Sequence, residues 1–428
     1  MSIEQVSKEV FEKHNNVLLC GPGGTGKSYM LNIIASDAKR RGLKVYNTAT
    51  TGIASINLIK GKTFHSYAGI GTAWQDKERL YRKVKSDSKN VKRITETNLL
   101  IIDEISMFGA KLLEKVDFVF RKITNIDKPF GGIQVIFGGD FMQLPPVKDE
   151  WIFTNEIWEE FNFVPIILNK GWRYDDIEYF NLMMRIRIGT FTSSDVFLLK
   201  SRVKAYDVLE KSITESRKNK KIDVIIPTVL YSRKKDVLWH NNTEMEELTT
   251  EKVEYNAVDD FTSLSGKSVK HDYYIDLLNE IIPQKIELKI GAQVMLKVNL
   301  DPGCGLVSGS RGVVIEHDDN VITVKFRKSQ KTIRIQRYSW VLEDDEVYIV
   351  RTQFPLILAW ALTIHKGQGS TLDYAVCDLG PSIFSPGQAY VALSRVRNIE
   401  CLYIIEFSER SIKVDKEALE FCKKLQID

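Results

Sequence analysis

Gly21-Pro22-Gly23-Gly24-Thr25-Gly26-Lys27-Ser28 stands between the apolar run Asn16 to Cys20 (NVLLC) and a helical pattern that begins near Gly26. It satisfies G-x-x-x-x-G-K-[ST] in the strand–loop–helix context that the motif requires. The glycines let successive backbone N–H groups curl around a β-phosphate at the positive end of the helix. Lys27 then reaches the β- and γ-phosphates, and the Ser28 hydroxyl ligates Mg²⁺. The eight residues Gly21, Pro22, Gly23, Gly24, Thr25, Gly26, Lys27 and Ser28 are thus the expected nucleotide cradle, with ATP and Mg²⁺ as its occupants.

A phosphate loop also needs an acid at the end of a neighbouring strand. LLIIDE supplies Asp103 for Mg²⁺ and Glu104 for polarising the attacking water. A buried apolar strand delivers both carboxylates rigidly, and adjacent Asp-Glu favours NTP hydrolysis over transfer to a small acceptor. GGDFMQLPPV, from Gly138 to Val147, follows the next strand and places Gln143 to sense the γ-phosphate.

Outward from these motifs, the first half alternates short apolar runs with helical stretches: KVYNTAT, a helix near Ile53, NLLIID, a helix near Lys111, and GGIQVIFGGD. This cadence predicts parallel βαβ units with helices on both faces of the sheet. A second α/β pattern begins after Trp172, with helices over Asp176 to Arg187 and Ser194 to Val203. It is interrupted from about Lys285 to Tyr348 by alternating strands, which read as a small β-barrel, with turn chemistry at His317-Asp318-Asp319-Asn320. The pattern resumes with YAVCDL, YVALSRV and CLYIIEF.

Composition adds limits. With 43% hydrophobic and 27% charged residues, the 428-residue chain reads as an ordinary soluble protein of two to four domains. No apolar stretch approaches the roughly 20 residues of a membrane span. The N-terminus MSIEQVSKEVFEKH has no apolar core for a secretory signal. The five cysteines (Cys20, Cys304, Cys377, Cys401, Cys422) form no C-x-x-C pair and read as small buried hydrophobes. Eight Lys or Arg between Lys77 and Arg93 oppose only Glu78 and Asp87, a local basic excess suited to a groove that tracks phosphates. From Glu244 to Asp260 seven acids face only Lys252.

The ordered set GPGGTGKS, TTGIAS, GKTFHS, LLIIDEISM, GGDFMQLPP, AWALTIHKGQGSTLD and YVALSRV resembles the superfamily 1B helicases. The pattern is closest to the PIF (petite integration frequency) family, related to RecD and Dda, and runs from about Gln5 to Arg395. The resemblance implies two RecA-like domains, parallel sheets with flanking helices. Residues 1–165 would form the first, with a small 1B wedge at about 70–95. Residues 166–428 would form the second, interrupted by a 2B insertion whose barrel, similar to a Src-homology fold (SH3-like), spans about 250–348.

It also implies roles. Gln5 would read adenine. Arg173 in LNKGWRY and Arg395 in YVALSRV would come from the second domain and contact the γ-phosphate. The family more often has Gln directly after the first of these arginines, where this chain has Tyr174. DNA contacts would come from Thr51 and Gly52, from Thr63, Phe64 and His65, and from Thr363, His365 and Lys366. Phe64 and His65 are candidates to stack on bases, Trp74 or Tyr81 to act as a pin at the fork, and Gln368 to link the DNA and ATP sites. The turn LVSGSRG has Ser308 where the family usually has Asn. The chain reads as a bare helicase core, without the long N-terminal extensions of nuclear and mitochondrial relatives, which would suit a phage, viral or bacterial source.

The expected activity is ATP-driven movement along single-stranded DNA, 5′→3′ by resemblance alone, with unwinding of forked duplex. The expected protein is a monomer, not secreted and without a membrane partner, working in cytoplasm or nucleus. Two alternatives stay open: an RNA or RNA–DNA hybrid helicase, distinguished through the 2′-OH, and an ATP-switched nucleic-acid-binding protein that does not unwind. A nuclease is disfavoured because no clustered acid–Lys motif remains unassigned.

Overall fold

The apolar run ahead of the Gly-rich loop folds as strand β1 (Val17–Cys20), buried at every position. It belongs to a six-stranded sheet with β2 (Val45–Ala49), β3 (Lys62–Thr63), β4 (Leu99–Asp103), β5 (Gln134–Gly139) and β6 (Val164–Ile167). The order is β3-β2-β4-β5-β1-β6 and every pairing is parallel. Parallel strands buried on both faces read as unbroken apolar runs, and all five residues of β4 are buried. One core cluster includes Leu31 and Ile34 of the helix Lys27–Arg40 with Leu19, Ile101 and Ile136. The other includes Leu113, Val116 and Phe120 of the helix Ala110–Thr124 with Leu100, Ile102 and Phe137. The sheet therefore carries helices on both sides.

The computed structural model describes residues 3–71, 73, 75–218, 226–263, 274–275, 278–279, 282–298, 300–301, 306, 309–326, 332–343 and 347–425. Packing divides the chain into two units. The first comprises Met1–Asp195, Ile383–Ile399 and Glu409–Asp428, and the second Val196–Ser382 and Glu400–Ser408. Sequence reading drew one boundary at 165; the packing instead keeps 166–195 and two later segments with the first sheet. Particular contacts account for this. Arg187 forms an ion pair with Asp140 at 2.7 Å, and Ala418 belongs to the same core cluster as Phe141 and Trp158.

In the first unit the basic stretch forms two helices, Lys77–Ser86 and Ser88–Glu96, each N-capped by an aspartate (Asp76, Asp87). Leu80, Val84 and Ile94 bury their apolar stripes while the lysines and arginines cover the outer faces.

The second unit holds β7 (Thr228–Tyr231), then β8 (Val253–Asn256), β9 (Val258–Ser263), β10 (Lys285–Leu288), β11 (Gln293–Leu296), β12 (Arg311–His317) and β13 (Val321–Phe326). These are followed by β14 (Thr332–Gln336), β15 (Tyr338–Glu343), β16 (Val347–Gln353), β17 (Leu356–Leu358), β18 (Ala361–Thr363), β19 (Ala375–Leu379) and β20 (Leu402–Phe407). A parallel sheet of order β18-β7-β19-β20 is interrupted by antiparallel sheets β10-β8, β14-β13-β12-β11-β17 and β15-β16-β9. The fold is thus the expected α/β architecture of two parallel sheets with an antiparallel insertion. The antiparallel strands run from Val253 to Leu358, ten residues past the expected end at 348. The β12–β13 turn is built as anticipated, with the Asp318 carboxylate accepting from the Asn320 and Val321 amides, both at 2.7 Å. The helix expected over Ser194 to Val203 instead runs Ser193–Lys218, because no Gly or Pro interrupts it. Ser308, Cys304 and Trp74 lie outside the described residues.

Candidate functional site

The phosphate loop turns on two left-handed glycines, Gly24 (φ +85°) and Gly26 (φ +87°), a conformation that other residues adopt only with strain. The second begins the helix Lys27–Arg40. The Lys27 ammonium donates to the carbonyls of Gly21 (2.7 Å) and Pro22 (2.9 Å), curling the loop over its own side chain. Burial pushes the Lys27 pKa down, while Asp140, Glu104 and Asp103 oppose that shift.

Strand β4 carries the acids to the same place. Ser28 Oγ donates to Asp103 Oδ2 at 2.5 Å, and the Glu104 amide donates to Asp103 Oδ1 at 2.8 Å. Burial and the neighbouring Glu104 charge raise the Asp103 carboxyl to about 6. Glu104 itself is left-handed (φ 56°), a conformation that costs a non-glycine residue on the order of 1 kcal/mol and clusters at functional sites. Gln143 is buried at 4% exposure, and its Oε1 has no hydrogen-bond partner among the described residues.

Gly23 is where the remaining groups meet. A methyl group on Gly23 would lie 3.5 Å from Arg395 Nη2, 3.6 Å from Gln143 Nε2 and 3.6 Å from Ser394 Oγ. Arg395 is 1% exposed and donates to Val391 O (2.7 Å) and Ser394 Oγ (2.6 Å). Burial, then the Arg173 charge, lower its pKa to about 10. Arg173 Nη1 donates to Ser394 O at 2.9 Å. Both arginines were expected from the second domain; by packing, both lie in the first unit with the loop. Arg395 nevertheless belongs to an excursion, Ile383–Ile399, that the chain makes between β19 and β20 of the second unit.

Of the residues that complete this site, the sequence marks only Tyr174, as a departure from the family pattern; Tyr390, Asp140, Arg187 and Trp172 carry no role in that reading. The Gly23 amide donates to Tyr390 Oη (2.8 Å), and Tyr174 Oη donates to Gly23 O (3.1 Å). Tyr390 Oη donates to Asp140 Oδ2 (3.1 Å), and Arg187 grips the same carboxylate through Nε (3.0 Å) and Nη2 (2.7 Å). Trp172 is 67% exposed, and its ring edge would lie 3.4 Å from a methyl group on Gly26. A Trp immediately before a candidate site arginine is the signal that the sequence offers. Gln5 is exposed on the helix Ile3–Ser7, whose Val6 is buried in the core cluster that holds Met30 and Leu31.

The expected DNA-binding residues share one local device. Thr51, Thr63 and Thr363 each N-cap a short helix, accepting from Ala54, Ser66 and Lys366 respectively. Capping uses an oxygen lone pair and leaves the hydroxyl proton for a further acceptor. Gly52 and Lys366 are exposed, His65 and His365 half-buried, and Gln368 buried. Burial lowers the pKa of both histidines, with the Lys234 charge adding to the effect at His365. One expectation fails on packing. Phe64 is fully buried, 4.9 Å from the Phe108 ring, so its ring is core and not a stacking platform. Tyr81 is half-buried and packs edge-on against Phe118 at 6.5 Å, so part of its ring is committed to the core.

A family model described as PIF1-like helicase matches residues 2–195, and one described as DNA helicase Pif1, 2B domain, matches residues 277–317. The ATP-dependent DNA helicase Pif1 of Bdellovibrio bacteriovorus is 32% identical over 435 residues, covering 100% of this chain and 92% of that protein. This chain belongs to the PIF1-like helicase family. The ATP-dependent DNA helicase PIF1 of Xenopus laevis is 35% identical across 96% of this chain, which spans 62% of that longer relative. The crystal structure of Pif1 helicase from Candida albicans superposes with a TM-score of 0.82 at 32% identity, covering 99% of each chain. Within this PIF1-like chain, no helix of the described residues is long and apolar enough to cross a membrane. No cluster of three or more metal-ligating His, Cys, Asp or Glu occurs among them.

Proposed function

We propose that the chain is an ATP-driven DNA helicase that moves along single-stranded DNA, 5′→3′, and opens forked duplex. The observation that carries this reading is the convergence on Gly23 of Gln143 and Arg395, beside Lys27 and the Ser28–Asp103 pair. A loop that presents backbone amides and an ammonium fits a polyphosphate, and the orphaned Gln143 Oε1 fits the hydrogen of a water. The relatives' names, which specify ATP and DNA, agree.

Ser28 Oγ and the Asp103 carboxylate are hard oxygen donors of the kind Mg²⁺ selects; when bound there, the ion supplies positive charge to the phosphate oxygens. Glu104 takes the proton of the attacking water, and Gln143 orients that water. Arg173 and Arg395 stabilise negative charge that develops on the phosphoryl group, commonly worth about 10³–10⁵ in rate. Gln5 contributes an amide for the base.

Each unit brings its own DNA grip: Thr51, Gly52, Thr63 and His65 in the first, and Thr363, His365, Lys366 and Gln368 in the second. Small hydroxyls and backbone amides hold phosphates without reading sequence. Hydrolysis in the first unit is felt in the second through the Ile383–Ile399 excursion, which is covalently continuous with β19 and β20. The working form is a monomer in a compartment that contains DNA.

Stimulation of ATP hydrolysis by matched single-stranded DNA and RNA oligonucleotides tests the assignment. Strong stimulation by DNA, lost in Lys27→Ala, is expected. Stimulation by RNA alone would replace the DNA track, and turnover indifferent to both would reject a motor.

A further inference from the structure

We propose that Tyr174 and Tyr390 are positioning residues that clamp the phosphate loop at Gly23, holding it in register with Gln143 and Arg395 for hydrolysis. The inference rests on the reading of this site as an ATPase.

The two tyrosines hold different peptide planes. The Gly23 amide, which belongs to the Pro22–Gly23 plane, donates to Tyr390 Oη at 2.8 Å. The Gly23 carbonyl, in the Gly23–Gly24 plane, accepts from Tyr174 Oη at 3.1 Å. A peptide plane is rigid, so the only soft rotations between these two are φ and ψ of Gly23. Glycine has no Cβ to restrict them. Two hydroxyls therefore fix a residue that would otherwise be the loosest point of the loop. That point faces the reacting groups: Arg395 Nη2, Gln143 Nε2 and Ser394 Oγ all lie within 3.6 Å of where a Gly23 Cβ would be.

The clamp is anchored from behind. Tyr390 Oη donates a 3.1 Å hydrogen bond to Asp140 Oδ2. Asp140, 1% exposed, is gripped by the Arg187 guanidinium. Burial alone would raise the Asp140 carboxyl, but the Arg187 charge and hydrogen bonds outweigh it and hold the group ionised. Burial, then Asp140, keep the Tyr390 phenol protonated well beyond its ordinary range. Each oxygen in the chain Gly23–Tyr390–Asp140–Arg187 thus has a defined role as donor or acceptor. On the other side, Tyr174 belongs to the segment whose Trp172 and Arg173 amides donate to Gly24 O at 2.8 and 3.1 Å. The same segment is thereby stitched to the loop at two successive residues. Tyr174 is also where this chain departs from the glutamine more usual in its family, so its hydroxyl is a feature of this sequence.

A clamp of this kind acts on the transition state more than on nucleotide binding, because Lys27 and the later loop residues carry the phosphates. The test is steady-state ATP hydrolysis on single-stranded DNA by the full chain, comparing wild type, Tyr174→Phe, Tyr390→Phe and the double variant, with a Tm for each. Each substitution removes one oxygen and keeps the ring. Each single variant should lose about tenfold or more in kcat, the loss expected for a hydrogen bond in a charged network, with KM for ATP within about twofold of wild type. The double variant should be no slower than the slower single, because freeing either plane already releases Gly23. Unchanged kcat in either single variant would overturn the clamp. So would a rise in KM at constant kcat, a double-variant loss equal to the product of the singles, or a loss that tracks a fall in Tm. A wild-type chain without ATPase activity overturns the ATPase reading and the clamp together; an active wild type with indifferent Phe variants overturns only the clamp.

Discussion

Ser28 Oγ donates a 2.5 Å hydrogen bond to Asp103 Oδ2, joining the start of the loop helix to the end of β4 across 75 residues of sequence. Both groups are fixed by regular structure, the hydroxyl by the helix Lys27–Arg40 and the carboxylate by a wholly buried strand. The pair is preorganised, and its loss should be felt in metal use before it is felt in folding.

Ser28→Ala should therefore raise the Mg²⁺ concentration needed for half-maximal ATP hydrolysis by about tenfold, the loss of roughly one charge-assisted hydrogen bond. Titrating MgCl₂ at saturating ATP measures this. A Mg²⁺ dependence equal to wild type would remove Ser28 from the site.

Gly24→Ala should be far more damaging than its size implies. Gly24 has φ +85°, and a Cβ there would lie 2.6 Å from the Arg173 Cβ. Left-handed strain alone costs an alanine roughly 1–2 kcal/mol, and the clash displaces Arg173. ATP hydrolysis should fall below detection, with a lowered melting temperature in thermal unfolding.

Arg395→Lys should fail to rescue what Arg395→Ala loses. The guanidinium makes directed hydrogen bonds, among them to Val391 O and Ser394 Oγ, in a fork that a point-charge ammonium cannot reproduce. Both variants should lose about 10³-fold or more in DNA-stimulated kcat. A lysine variant within a few-fold of wild type would reduce Arg395 to a simple positive charge.

Phe64→Ala should report on stability and not on DNA. The ring is fully buried against Phe108 and Phe130, and truncating a buried Phe typically costs about 3–5 kcal/mol. Chemical denaturation should show that loss. His65→Ala, at the half-buried neighbour, should instead weaken single-stranded DNA binding with little change in stability.

Lys297 gives a pH signature. Burial, and then the Lys366 charge, lower its pKa from 10.5 to about 8. A depressed folded-state value means that charging Lys297 opposes folding. Its contribution is most favourable above pH 10.5 and is lost as pH falls toward 8. Lys297→Met should accordingly raise Tm at pH 7, with the gain shrinking as pH climbs between 8 and 10.5. A gain independent of pH would assign it to packing alone.

Much of this was legible in the chain. Gly21 to Ser28 declared a phosphate loop because few other uses require that glycine spacing, and LLIIDE declared a buried strand ending in acids because no exposed strand is so uniformly apolar. The turn at Asp318 was readable from its own side-chain chemistry. Tyr390, Asp140 and Arg187 were not. Each is an ordinary residue in sequence, and only the packing of segments 47 to 250 residues apart brings them together. Phe64 was misread for a related reason: a motif's position near nucleic acid says nothing about which way one aromatic ring turns. The ten extra residues of antiparallel strand and the longer helix to Lys218 reflect the weakness of boundary signals where no Gly or Pro intervenes.

Strand displacement from partial duplexes bearing either a 5′ or a 3′ single-stranded tail, with wild type and Lys27→Ala run in parallel, addresses the account at its centre. Wild type should release the 5′-tailed strand only when ATP and Mg²⁺ are present, leave the 3′-tailed substrate largely intact, and lose all release in Lys27→Ala. Release of both strands without nucleotide, or undiminished release by Lys27→Ala, would contradict it.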